Sequence, residues 1–162
     1  MAFKAKKPAV LAVALVAVCG LALLQSRFCL CLTVGSSMLP TFKTGDLLIV
    51  DKKAYSRTEP RREDIVIARF RHDLVVKRIV ALPGEEVEIT AGALFVNGIL
   101  IPESYVGETQ RDFNIGKGKM FAGRFATLGD NRAIPAHQTV HPIVSKDQII
   151  GRVLLSISLW PF

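Results

Sequence analysis

The chain has 162 residues, enough for one modest domain, and carries a formal net charge of +7 from 21 Lys and Arg against 14 Asp and Glu. That charge raises nucleic acid as a partner. No clustered basic helix, zinc-ligand spacing or aromatic–basic alternation accompanies it, so nucleic acid is set aside and attraction to anionic lipid headgroups is the plainer reading.

Lys4, Lys6 and Lys7 precede Ala9–Leu24, the run AVLAVALVAVCGLALL, which holds no charge. A helix of that length rises about 24 Å, short of the roughly 30 Å hydrocarbon core, so Gln25, Ser26 and the apolar patch FCLCLTV after Arg27 are candidates to extend it. A cleaved leader has the same basic start, but LLQSRFCLC offers no small-x-small cleavage site, and Cys19 follows Val18 rather than a small residue. The expectation is a cytoplasmic N-terminus at 1–7, an uncleaved transmembrane anchor at 8–27 and an extracytoplasmic domain at 28–162. The lysines hold the N-terminus inside, and a long following domain translocates largely regardless of its charge. The chain is thereby placed in the inner (cytoplasmic) membrane as a single-pass protein. Cys19, Cys29 and Cys31 all lie in or beside the anchor, leaving no disulfide framework or Cys-based metal site for the domain.

From Val34 onward the periodicity is that of strands. LLIVDKK, DIVIARF, DLVVKRIVAL, EVEIT, RFATLGD and QIIGRVLLSI are short, rich in Val and Ile, and separated by Gly, Pro, Asp and Asn. LFVNGILI predicts a hairpin with a type I′ turn at Asn97-Gly98. With no amphipathic helix of useful length, the reading is one all-β domain, with a looser polar insert from Pro102 to Gly118.

The stretch VGSSMLPTFKTGD places two hydroxyls, Ser36 and Ser37, just beyond the apolar segment. A serine becomes a nucleophile only when a base removes its proton. His72, His137 and His141 read more simply as surface or loop histidines. His137 and His141 have the i, i+4 spacing of a metal pair on a helix, but Pro135 and Pro142 argue against a helix there. A lysine serves as base only when neutral, which requires burial among aliphatics. DLVVKRIVAL supplies such a setting: Val75, Lys77 and Ile79 share one strand face. Arg78 is equally embedded on the other face. Chemistry separates the two, because arginine does not deprotonate usefully.

These residues resemble a known family. SMLPT (Ser37 to Thr41), KRIVALPGE (Lys77 to Glu85) and LGDNR (Leu128 to Arg132) are similar, in order and behind an N-terminal anchor, to the motifs of type I signal peptidases, membrane-anchored serine–lysine endopeptidases. The resemblance spans about residues 8 to 155. It implies Ser37 rather than Ser36 as nucleophile and Lys77 as general base. It implies a structural pair in Arg78 and Asp130, a tight position at Gly129, support from Asn131 and Arg132, and shaping of the site by Gly35, Ser36, Met38 and Pro40. It also implies an antiparallel β-sheet catalytic core with a smaller excursion domain, no metal or organic cofactor, and signal peptides of exported preproteins as partners beside the lipid bilayer.

This sequence departs from the family pattern in three places. After GDNR the family continues with a serine and an aspartate, and here Pro135 and His137 stand instead, so either another group orients Lys77 or activity is reduced. Glu63-Asp64 replaces a common Gly-Asp. Gly35 replaces a serine that in some members binds the oxyanion, leaving that task to backbone N–H groups such as that of Ser37. FCLCLTV and Leu39 to Phe42 are expected to dip into the membrane surface. Two alternatives remain: a maturation peptidase dedicated to one substrate, and a catalytically weak paralogue that binds signal peptides without cutting. A self-cleaving repressor would need a DNA-binding domain where this chain has its anchor.

Overall fold

The computed structural model describes residues 7–107, 109, 112–139 and 142–159, the residues 7–12 by backbone alone. Among the described residues one α-helix, α1 (Lys7–Arg27), precedes eleven strands. Among the described residues no helix is long and apolar enough to cross a membrane. Residues 1–6 of the expected cytoplasmic segment at 1–7, and the side chains of the first turns of α1, lie outside the described residues. From Val13 to Leu24 the aliphatic side chains of α1 are exposed around the whole helix, with Val16 and Leu23 at 72% and 70%.

FCLCLTV does not extend the helix. Phe28–Leu32 leaves α1 as strand β1 and pairs antiparallel with β2 (Leu47–Asp51), Phe28 opposite Asp51 and Leu32 opposite Leu47. The ladder satisfies backbone groups that water would otherwise hold, and the pleat turns alternate residues inward. Cys29 and Cys31 thus pack on Leu48 and Val50, while Leu30 and Leu32 face outward.

The remaining strands follow the Val/Ile runs. They are β3 (Ile65–Phe70), β4 (Asp73–Ala81), β5 (Glu86–Thr90), β6 (Ala93–Val96), β7 (Ile99–Ile101), β8 (Ile115–Lys119), β9 (Arg124–Leu128), β10 (Ile143–Ser145) and β11 (Ile149–Ile157). A seven-stranded sheet has the order β1-β2-β11-β3-β4-β9-β10, and a four-stranded sheet the order β7-β6-β5-β8. All named pairings are antiparallel. The expected hairpin joins β6 and β7, and Asn97 (φ 52°) and Gly98 (φ 75°) both take the left-handed conformation that a type I′ turn demands.

The segment Pro102–Gly118 is less loose than its composition implies. Its end enters β8, which pairs with β5, and Phe113 is fully buried. IGKGK has no apolar alternation because its place in the sheet rests on backbone pairing. Val80, Ala81, Val87, Ile89, Leu94, Phe113 and Leu128 form the core joining the two sheets. A second cluster, Met38, Phe42, Leu48, Val50 and Ile67, lies beneath the serine loop.

β4 is the element that positions the site. Its end is fixed by Glu85, which accepts a hydrogen bond from the Leu82 N–H at 2.6 Å and pairs with Arg62 at 2.7 Å. Across β4, Ile79 exchanges backbone hydrogen bonds with the Glu63–Asp64 turn, where Glu63 has φ 71°. That conformation accounts for the glycine that the resemblance leads one to expect here, since a left-handed L-residue costs about 1–2 kcal/mol. Glu63→Gly should therefore stabilise the domain by about 1 kcal/mol net of unfolded-state entropy, read as a higher denaturation midpoint at constant slope.

Candidate active site

Ser37 sits in a turn between β1 and β2, and Lys77 sits midway along β4. The fold brings them together: Lys77 Nζ donates to Ser37 Oγ at 2.7 Å. Lys77 is 4% exposed and lies opposite Val66 on β3. Burial pushes its amine down to about 8, against the opposing pull of the Asp130 carboxylate. The resulting pair is a hydroxyl beside an amine that is partly neutral near neutral pH. Both open onto a groove of about 280 Å³ between residues 31–35 and Leu74–Val76, floored by Met38 and Phe42.

The serine loop is clamped to the segment after β9. The Asn131 N–H donates to the Ser37 carbonyl at 3.0 Å, and Asn131 Nδ2 donates to the Ser36 carbonyl at 2.9 Å. Gly129 permits this approach, because a Cβ there would stand 2.3 Å from the Ser37 carbonyl oxygen. Asp130, fully buried, accepts from Arg78 Nε at 2.9 Å and from a second Arg78 nitrogen at 2.6 Å, and it also accepts the Thr41 hydroxyl. One carboxylate thus joins the serine loop, the lysine strand and the segment after β9. No partner is found for the Ser37 N–H among the described residues, so it is available to an oxyanion.

Gly35 has φ 94°, which accounts for a glycine where the resemblance also allows serine. Its N–H and carbonyl are both bonded to the Thr44 hydroxyl, at 3.1 Å and 3.0 Å. Met38 is buried under the loop, and Pro40 follows a cis Leu39–Pro40 peptide bond at its exposed side. Phe42 corrects an expectation: at 6% exposure it belongs to the core, not to a membrane-facing lip. Thr41 is likewise tied inward through Asp130.

Two residues were missed by sequence reasoning. Glu103 and Tyr105 come from the supposedly loose insert. Glu103 takes a bidentate grip on Arg132, which is 0% exposed, at 2.6 and 3.1 Å, while Arg132 Nε donates to the Gly129 carbonyl at 2.9 Å. Tyr105 donates its hydroxyl to Glu103 at 2.6 Å and lays its ring 3.8 Å from the Arg78 guanidinium carbon. Burial, then the bond to Glu103, raises the Tyr105 phenol. The available signal was charge: Arg132 sits in a motif block, and a buried arginine needs an acid to pair it.

Pro135 starts a single 3-10 turn, Ala136–Gln138, and His137 on it is exposed. Neither has a hydrogen bond to Lys77, whose one hydrogen bond among the described side chains goes to Ser37. His72 is exposed at the β3–β4 hairpin, and His141 lies outside the described residues.

The family model described as signal peptidase, peptidase S26, matches residues 6–160. The chain is 34% identical over 135 residues to the signal peptidase I of Leptolyngbya laminosa, covering 77% of this chain and 65% of that one. It is 32% identical over 134 residues to the probable signal peptidase I-2 of Synechocystis sp., covering 78% and 60%. To the signal peptidase I of Bacillus caldolyticus it is 34% identical over 143 residues, covering 79% and 77%. The chain therefore spans less than two thirds of the length of the first two relatives.

The Glu103 grip generates a test. Glu103→Ala leaves Arg132 buried and uncompensated, which costs about 3–5 kcal/mol. Chemical denaturation should register that loss, and Glu103→Gln, which keeps a hydrogen-bond acceptor, should lose less.

Proposed function

This chain belongs to the signal peptidase family, peptidase S26, and on that premise we propose that it is a membrane-bound serine endopeptidase that removes signal peptides from translocated preproteins. The observation that carries the reading is the 2.7 Å contact between a buried, pKa-lowered Lys77 and Ser37. It persists although Pro135 stands where the family has a serine, which favours an active enzyme over a paralogue that only binds.

An extended substrate lies in the groove between residues 31–35 and β4, adding its backbone to the strand edges there. Neutral Lys77 takes the Ser37 proton as Oγ attacks the scissile carbonyl, and the oxyanion rests on the Ser37 N–H. The C–N bond breaks and the departing amine takes the proton from Lys77. Lys77 then accepts a proton from water as it attacks the acyl ester and returns that proton to the departing Ser37 Oγ, which restores the hydroxyl and the neutral amine while the product acid leaves and ionises. Every proton passes through this one amine, so its neutral fraction sets the rate.

Residues 8–27 are proposed to anchor the chain, with 1–7 cytoplasmic and 28–162 extracytoplasmic. The support is a helix whose aliphatic side chains, from Val13 to Leu24, are exposed on all sides. The sheet continues the same character. Leu30, Ile49 and Leu155 align across β1, β2 and β11, as do Leu32, Leu47 and Ile157, with the β1 and β11 members exposed. This outward face suits a bilayer surface, and on this reading Ser37 works where a substrate's apolar segment ends.

A precursor bearing a signal peptide, mixed with the purified chain in detergent, tests the reading. Cutting should occur after a small residue and rise about tenfold per pH unit below pH 8, levelling above it. Ser37→Ala and Lys77→Ala should each reduce the rate by at least about 10²-fold. Binding of the precursor without cutting would favour the paralogue reading, and activity surviving Lys77→Ala would remove Lys77 as base.

A further inference from the structure

Charge gathers where α1 ends. Arg27 closes its last turn, and the turn after β2 brings Lys53 and Arg57 beside it. With Ala54 and Ser56 these residues line an open cleft of about 460 Å³. Three cations and one hydroxyl face it, and no carboxylate lines it.

The acids nearby are already committed. Asp51 accepts from Arg27 at 3.3 and 2.9 Å and from the Lys53 N–H at 2.9 Å. Asp64 accepts from the Tyr55 hydroxyl and the Arg61 N–H and faces Arg152 at 3.6 Å. Glu59 pairs with Lys146 at 2.6 Å. Among the described residues no ion pair is found for the side chains of Lys53 and Arg57. Like charges around one cleft repel, and an anion with several oxygens relieves that repulsion. An arginine fork meets two oxygens at once, and lysine adds a point charge.

Depth selects the anion. The cleft begins within one turn of the end of the apolar run Ala9–Leu24, the level at which a bilayer presents its phosphates. The same place is the joint between helix and domain: Lys52 Nζ donates to the Gln25 carbonyl at 2.7 Å, and the Lys52 N–H to the Arg27 carbonyl at 2.8 Å. We propose that the Arg27–Lys53–Arg57 cleft binds the phosphodiester of an anionic glycerophospholipid and thereby fixes the anchor–domain joint. The proposal rests on reading residues 8–27 as the anchor. A headgroup held here sets the height and tilt of the sheet, and so of Ser37, over the membrane.

The test uses the full chain in nanodiscs of mixed phosphatidylcholine and phosphatidylglycerol, with retained lipid counted by native mass spectrometry. The wild type should retain phosphatidylglycerol over phosphatidylcholine by about tenfold, and the double variant Lys53→Gln/Arg57→Gln should fall to within about twofold. Excess inorganic phosphate should not displace the lipid. Equal preference in wild type and variant overturns the proposal, and full displacement by phosphate assigns the cleft to free anions instead. Alkaline extraction from pure phosphatidylcholine vesicles separates the two readings. Release of the wild type sinks the anchor itself, whereas retention without lipid preference sinks only the cleft.

Discussion

One buried carboxylate holds the site together. Asp130 lies at full burial between Arg78 on β4 and Thr41 in the serine loop, and its neighbours Gly129 and Asn131 receive the Ser37 backbone. A charge in that position is tolerated only if it is paired and its lone pairs are satisfied. Arg78 meets both conditions, and Tyr105 covers the guanidinium with its ring. The candidate dyad therefore depends on an ion pair that touches neither Ser37 Oγ nor Lys77 Nζ.

The same strand sorts two cations by their surroundings. Lys77 and Arg78 are adjacent on β4 and project to opposite faces. Arg78 finds a carboxylate and stays charged. Lys77 finds apolar neighbours and a hydroxyl, so desolvation favours its neutral form, while Asp130 is close enough to limit the shift. That limit is chemically useful, because a base poised near the working pH is partly neutral yet still able to hold a proton for the leaving amine. Lys77 and Ser37 remain in contact although Pro135 stands where the resemblance leads one to expect a hydroxyl. Packing around β4 and the clamp from Asn131 position the amine and the serine without it.

Much of this was legible in the sequence. The strands with Val/Ile alternation and the Asn97-Gly98 turn were readable because local pattern and tertiary role agree. The burial of Lys77 was readable because its strand face is lined by Val75 and Ile79, although Arg78 looked equally embedded, and the close approach at Gly129 because the resemblance marks it as tight. The pattern failed where tertiary pairing decides. Phe28–Leu32 is apolar enough for a membrane helix but joins the sheet edge, and IGKGK carries no strand signature although β5 pairs with it. Glu103 and Tyr105 were hidden for a related reason. They sit in a polar stretch whose importance comes only from the arginines it meets after folding. Phe42 read as surface because its neighbours are loop residues, yet the loop folds over it.

If Lys77 is the base, burial keeps part of its amine neutral near neutral pH, and titration of that amine is the measurement to make. Lysine side chains labelled with ¹⁵N at Nζ can be followed by NMR across pH in the detergent-solubilised chain, with Lys77→Arg assigning the signal. The account predicts one amine titrating near pH 8, absent from the variant. If every lysine amine titrates together at about 10.4, the ordinary value, Lys77 is charged at working pH and the proposed base is wrong.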